Sequence, residues 1–386
     1  MTSTSRRVVL VAPDKFKGSL TARRAAAALA AGLTDARPDL IVVTCPVADG
    51  GEGTVESAVA SGFRSRSATV RGPLGHPVEA DFATKGSTAI VELAQASGLH
   101  LLPEPGPLPR TAVVATTYGT GELLVAALDA GAETIVLGLG GSATTDGGAG
   151  MLQALGATFR NGAGELLGPG LAHPTTIASA DLSGLDPRIA ATEFVVATDV
   201  DNPLWGPRGA AAVFGPQKGA TAELAVTLDQ DLRRWSRVLS EAGVTVSPQQ
   251  SGAGAAGGVG YAALGALRAR ARPGVDVVLD LVGFAGLLGG AFLVVTGEGS
   301  LDEQSLGGKA PIGVLRAAQA RGVPTIVVAG RSTLGPDVLA RAGFEAVYTL
   351  QDREPDLTRC MVEAARLLRE VGREVAVFAG GRPPNP

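Results

Sequence analysis

The stretch that most constrains this chain runs from Thr134 to Gly150 and reads TIVLGLGGSATTDGGAG. Thr134 to Gly138 has the β-branched and aliphatic composition of a buried strand. Six of the thirteen residues from Gly138 to Gly150 are glycine, after which Met151, Leu152, Ala154 and Leu155 resume an apolar pattern at helical spacing. A strand, a glycine-rich turn carrying Ser142, Thr144, Thr145 and Asp146, and then a helix is an arrangement that cradles phosphate. Glycine lets the backbone approach an anion, N–H groups point at it, and the helix adds its positive end. A tight turn between packed elements has the same composition. Both readings stand at this point, and the other loops weigh between them.

Val8 to Ala12 reads as a buried strand, followed by PDKFKGS and a helix from about Thr21 to Leu33, with Ser19 as the candidate cap. Leu40 to Cys45 is a second strand, followed by PVADGGEG and a helix over Thr54 to Ala60. Two βα units in succession predict a parallel sheet covered by helices, with ligands at the C-terminal ends of the strands. Near Phe63 the rhythm changes: Ser67–Val70, Val78–Ala83 and Ala89–Leu93 form an antiparallel meander and mark a domain boundary. Thr120–Ala130 is helical, Asn161–Pro187 loop-like, Glu193–Thr198 a strand and Ala220–Ala242 a helix with Trp235 over the core. Gly252–Leu267 reads as a tightly packed, glycine-rich helix.

The βα rhythm returns with a strand at Ala291–Thr296, the loop GEGSLDEQSLGGK and a helix at Pro311–Arg321. It continues with strands at Thr325–Ala329 and Ala346–Leu350 and a final helix at Leu357–Val371, before a frayed tail, GGRPPNP. The expected fold class is α/β with two dissimilar α/β domains. Residues 1–65 and 290–386 form a discontinuous Rossmann-like parallel-sheet domain, and residues 66–289 an inserted α/β domain that begins with the meander.

Net charge is −4 with no run of like charges, which argues against nucleic acid as a partner. Cys45 and Cys360 are too few for a disulfide framework and lack metal-ligand spacing. The apolar stretch after Arg6 and Arg7 ends at Pro13, too short for a signal-peptide core, and Gly289 and Gly290 interrupt the longest apolar segment. A cytoplasmic protein with no membrane association is expected, and its oligomeric state is left open. Five lysines stand against 28 arginines, and Lys15, Lys17, Lys218 and Lys309 lie beside glycine or proline in loops. A compact ammonium often serves as a point charge on phosphate.

Five loops follow strand ends: DKFKGS, ADGGEG, GGSATTDGG, TDVDN and GEGSLDEQSLGGK. If each sheet turns its ligand edge to the other domain, they converge on one cleft of glycine backbone, lysines and carboxylates. That inventory suits phosphoryl transfer, in which loops bind phosphate, lysines spread developing charge, and carboxylates hold Mg²⁺ or take a proton. Each acidic residue can also be an ordinary turn or capping group. GLGGSA fits the dinucleotide fingerprint, but the acid about 20 residues on, Glu165, lies in a glycine-rich loop rather than at a strand end. GGKAP has alanine where a P-loop needs Ser or Thr. No serine elbow or zinc spacing is present. A dehydrogenase and a non-catalytic two-lobed binding protein for a small acid remain the alternatives.

APDKFKGSL (12–20), PVADGGEGT (46–54), GLGGSATTDGGAG (138–150), ATDVDNPL (197–204), PQKGA (216–220) and GEGSLDEQSLGGK (297–309) resemble the motifs of the type I glycerate kinases. The resemblance runs from about residue 7 to residue 375. It implies ATP- and Mg²⁺-dependent phosphorylation of D-glycerate on two dissimilar α/β domains, with 2-phosphoglycerate the usual product of bacterial members. Within that reading Asp199 is the expected base, and Lys15 and Lys17 act on the transferring phosphate. Gly140, Gly141, Ser142, Thr144, Gly147 and Lys309 are expected at ATP; Asp49, Glu52, Arg71 and Arg331 at the substrate; and Asp49 and Asp146 at the metal.

Overall fold

The structure is a computed structural model that describes residues 7–170 and 173–380. Arg6 and the tail beyond Gly380 lie outside the described residues. The strands, in chain order, are β1 (Val8–Pro13), β2 (Ile41–Thr44), β3 (Arg64–Arg71), β4 (Pro77–Lys85), β5 (Thr88–Glu92), β6 (Thr134–Gly138), β7 (Thr158–Arg160), β8 (Ser179–Asp181), β9 (Glu193–Ala197), β10 (Arg270–Arg272), β11 (Ala291–Leu301), β12 (Thr325–Ser332) and β13 (Ala346–Thr349). The protein is α/β and divides into two units. The first comprises residues 1–49, 56–62 and 273–386; the second comprises 50–55 and 63–272. The division differs from the sequence expectation in three places, the first being that residues 63–65 fall in the second unit with the rest of β3. Residues 273–289 join the first unit because the helix Gly274–Leu281 packs on the helix Ala310–Gln319, and residues 50–55 belong with the second.

The first unit is built on a five-stranded sheet of order β13-β12-β11-β1-β2, parallel throughout. Alternation along β1 serves both faces: Val9 and Val11 enter one apolar cluster with Leu29, Leu33, Leu367 and Val371, while Leu10 and Ala12 enter another with Val275, Val278 and Val314. After β1 the chain moves to β2 on one side, whereas after β11 it moves to β12 on the other. The topological switch point therefore lies between β1 and β11, where open α/β sheets leave a crevice.

The second unit carries a six-stranded sheet of order β10-β9-β6-β5-β4-β3. The meander β3-β4-β5 is antiparallel, and β5, β6, β9 and β10 run parallel. Trp235, fully buried on the helix Ala222–Glu241, meets Phe159 edge-to-face at 5.4 Å. Strands β7 and β8 add a small antiparallel ribbon within what reads as loop.

Several local expectations are corrected. The first helix spans Ala22–Ala36 and its cap is Thr21, whose Oγ1 accepts from Arg24 N at 3.3 Å; Ser19 Oγ instead donates to the Met361 carbonyl. Strand β11 continues through GEGSL to Leu301. The segment Ala255–Ala266 is not a continuous helix, because Ala256, Gly257 and Gly258 have positive φ. A Cβ at Gly257 would lie 2.0 Å from the Thr144 carbonyl oxygen. The C-terminal helix is two, Leu357–Val362 and Ala364–Gly380.

The helices Ala22–Ala36 and Ala364–Gly380 touch backbone to backbone at glycine. A Cβ on Gly32 would sit 2.0 Å from the Arg369 carbonyl oxygen, and one on Gly372 2.4 Å from that of Leu29. Alanine normally gains about 1 kcal/mol over glycine within a helix. Overpacking against rigid backbone costs about 1–3 kcal/mol, and with so close an approach that cost is the larger. Gly32→Ala is therefore expected to lower the urea midpoint of unfolding.

Candidate active site

In the first unit the residues that follow strand ends gather at the switch point. Asp14 follows β1 and lies 6% exposed; its N–H donates to the Gly297 carbonyl at 2.7 Å, and its Oδ1 accepts from Lys15 N at 2.6 Å. Glu298, on β11, is 7% exposed, and its Oε1 has no hydrogen-bond partner among the described residues. Asp49, half-buried after β2, interacts electrostatically with both. Burial drives the Asp14 carboxyl up to about 8, with Asp49 and Glu298 adding to the shift and Lys15 opposing it. Burial likewise raises Glu298 to about 7, against the pull of Ser305 and Lys309.

The cations expected here divide by exposure. Lys15 is half-buried beside Asp14, whereas Lys17, two residues on and past the buried Phe16, is exposed. Lys309 reaches Asp302 Oδ1 at 3.4 Å, and Asp302 Oδ1 also accepts from Ser305 N at 3.0 Å. Arg331 is exposed, and its Nε lies 3.2 Å from Ser300 Oγ, one strand over and two residues past Glu298. These first-unit groups are thus brought together at one sheet edge.

In the second unit the glycine loop after β6 is largely buried. Asp146, fully enclosed, accepts from Thr117 N and Oγ1 at 2.7 Å each, from Gly148 N at 3.1 Å and from Gly150 N at 3.2 Å. Its two oxygens carry four donors, and two of those are the N–H groups that begin the short helix Ala149–Ala154. The positive helix end expected to meet an anion meets this carboxylate instead. The glycines serve the protein's own packing as well. A Cβ on Gly140 would sit 2.6 Å from Gly51 Cα, on Gly147 2.4 Å from the Trp235 ring, on Gly148 2.6 Å from Ala262 Cβ and on Gly150 2.3 Å from Thr116 Oγ1. Gly141, exposed with φ +75°, and half-buried Gly140 form the open part of the turn. Ser142 Oγ bonds Thr144 N at 3.1 Å.

Two buried charges in this unit, Lys218 and Glu92, were not among the site residues expected from the sequence. Lys218 is 2% exposed, donates from Nζ to the Thr144 carbonyl at 2.5 Å, and is pushed down to about 7 by burial, with Asp146 opposing. Glu92, at the end of β5 and 1% exposed, accepts at Oε1 from Gly53 N at 3.1 Å and Val55 N at 2.5 Å, and so pins the ADGGEG turn. The PQKGA motif hinted at the first; the second carried no local signal. Arg71, expected at substrate, lies over the Tyr118 ring at 4.5 Å, donates to the Pro169 carbonyl and pairs with Glu122. Asp199 and Glu52 are exposed. Among the described residues no three or more His, Cys, Asp or Glu side chains are arranged to hold a metal ion.

The glycerate kinase family model matches residues 9–379. The chain belongs to the glycerate kinase family. Members of this family are phosphotransferases with an alcohol group as acceptor, so the dehydrogenase and binding-protein alternatives are set aside. The chain is 44% identical over 371 residues to a glycerate kinase of Bacillus subtilis (strain 168), covering 95% of this chain and 96% of that protein. It is 43% identical over 345 residues to a glycerate 2-kinase of Escherichia coli (strain K12), covering 89% and 90%. A crystal structure from Salmonella typhimurium LT2, provisionally designated glycerate kinase 2, superposes with a TM-score of 0.81 at 41% identity, covering 97% of this chain and 98% of that one. No helix among the described residues of this family member is long and apolar enough to cross a membrane.

Two pH dependences follow from the buried charges. Unfolded, the Asp14 carboxyl ionises near 3.8, and folded near 8. Between those values the folded protein holds a proton that the unfolded chain has released, so Asp14 makes stability fall as pH rises from about 4 to about 8. Asp14→Asn is expected to flatten that decline, as read from urea midpoints across the range. Lys218 has the opposite slope. Its folded value near 7 lies below its ordinary 10.5, so its destabilising effect is complete below pH 7 and disappears as pH climbs to about 10.5. The stability of Lys218→Met relative to wild type should accordingly be highest below pH 7 and decline toward pH 10.

Proposed function

We propose that this protein transfers the γ-phosphoryl group of ATP to the 2-hydroxyl of D-glycerate, forming 2-phosphoglycerate. The observation that carries the proposal is 43–44% identity, along most of the chain, to proteins named for glycerate phosphorylation, one of them a glycerate 2-kinase. The first-unit geometry supports it. Glycerate is a small carboxylate bearing hydroxyls, and the switch point combines buried carboxylates with Lys15, Lys309 and the exposed Arg331. In this reading Arg331 and Lys309 hold the acceptor's carboxylate and Lys15, half-buried beside Asp14, steadies the transferring phosphate.

The nucleotide's phosphates fit the open turn at Gly140 and Gly141, beside Ser142, rather than the start of the helix that Asp146 already occupies. Asp146, Thr144 and Gly147 hold that turn in place. Arg71, committed to Tyr118 and Glu122, is a support for the meander. Mg²⁺ supplies charge neutralisation on the phosphates when it enters with ATP. Asp146 already accepts four hydrogen bonds from the protein, which suits a carboxylate that holds the loop rather than a metal ligand.

An ADP-release assay with Mg²⁺, ATP and a panel of hydroxy acids tests the proposal, with product position read by phosphorus NMR. Glycerate is expected to be the preferred acceptor and the phosphorus signal to couple to the C2 proton. Lys15→Ala should lower kcat by about 10² or more. Preference for another acid would overturn the substrate assignment, and coupling to the C3 protons would overturn the position.

A further inference from the structure

Glu298 has Ser305 and Lys309 as neighbours, yet one of its carboxylate oxygens is left without a partner among the described residues. The residue is 93% buried by its 7% exposure, and the oxygen is Oε1. A buried acceptor left unsatisfied is destabilising, and each such group calls for an explanation, a catalytic role among them. Its position is equally specific. Glu298 follows Gly297 on β11, which pairs with Pro13 of β1, so its carboxylate belongs to the edge where the sheet's connections diverge. The neighbouring glycines fit the strand into close quarters: a Cβ on Gly297 would lie 2.2 Å from the Val328 carbonyl oxygen, and one on Gly299 3.0 Å from Lys17 N.

We infer that Glu298 is the catalytic base of the transfer, receiving the acceptor's hydroxyl proton on Oε1; the inference rests on the kinase reading above. In the step, the acceptor hydroxyl oxygen forms a bond to the γ-phosphorus. The bond from that phosphorus to the bridging oxygen breaks, its electron pair leaves on ADP, and the hydroxyl proton passes to Glu298. No other co-reactant is needed.

The other carboxylates are poorer bases for structural reasons. Asp146 already accepts four hydrogen bonds from the protein, Asp14 Oδ1 is engaged by Lys15 N, and Asp199 is exposed to water. The charged and titratable groups that face Glu298 are Asp14 and Lys15 after β1, Asp49 after β2, and Asp302 and Lys309 on the loop that follows β11. Ser305 from that loop adds a hydroxyl. Burial holds the carboxyl at about 7, close to the range where a base works best at neutral pH.

The test compares wild type, Glu298→Gln, Glu298→Asp and, as a surface control on the same loop, Glu303→Gln, each scored for kcat against pH and for binding. Binding of glycerate in the presence of a non-hydrolysable ATP analogue is measured by calorimetry. Glu298→Gln is expected to lower kcat by about 10²–10⁴ with the glycerate Kd within about threefold, and to abolish the acidic limb of the profile. Glu298→Asp should keep a displaced acidic limb, and Glu303→Gln should match wild type. If Glu298→Gln does not fold, the Glu298→Asp profile decides, since an unmoved limb with wild-type kcat overturns the assignment. An active wild type whose Glu298→Gln variant retains kcat and the limb overturns Glu298 alone. A variant that loses glycerate binding in parallel with kcat also overturns it. A wild type that phosphorylates no glycerate removes the kinase reading and this inference together.

Discussion

The Asp146 carboxylate takes two donors from Thr117 and two from the backbone at Gly148 and Gly150, and the path of the glycine loop depends on that exchange. An enclosed charge would be costly without those four donors, since an ion buried in protein must be matched by hydrogen bonds. The surrounding elements add their own constraints. Trp235 Nε1 donates to the Gly147 carbonyl at 2.9 Å, and Lys218 holds the next carbonyl region at Thr144. The open Gly140–Gly141 turn is therefore the surface of a fixed polar scaffold, and little rearrangement is needed to present it to a ligand.

The first unit solves a different electrostatic problem. There Asp14 and Glu298 stand close together, mostly out of water, with Lys15 and Lys309 as nearby opposite charges. Desolvation outweighs the lysines' attraction at both acids, which leaves these carboxyls ready to exchange protons near neutrality. The arrangement sacrifices some stability, a common cost at sites where chemistry is performed.

Much of this was legible in the residues. Alternation and βα rhythm placed β1, β2, β6, β9 and β12 to within a few residues, and the meander was evident from turns without intervening helix. What the sequence could not separate was the purpose of a glycine. Gly140, Gly147, Gly148 and Gly150 are small because Gly51, Trp235, Ala262 and Thr116 stand where a Cβ would be, and those neighbours are distant in sequence. Burial was hidden for the same reason. The burial of Glu298, Glu92 and Lys218 emerges only when the tertiary fold encloses them. The mistaken Ser19 cap was a near neighbour of the true one, Thr21, whereas the left-handed turn at Ala256–Gly258 is imposed by contact with Thr144.

The strand order of the first unit also sets a timetable for synthesis. Strand β1 lies inside its sheet, between β11 and β2, but of these two partners only β2 is made soon after it; β11 begins at Ala291. As the ribosome elongates the chain, the early strands must wait through the production of the whole second unit for their missing edge. That second unit, nearly continuous in sequence, has all its strands before the first sheet can be completed. A nascent chain paused anywhere between residues 63 and 290 thus carries an unfinished apolar sheet, Val8 to Thr44, whose protection falls to chaperones or to the speed of translation.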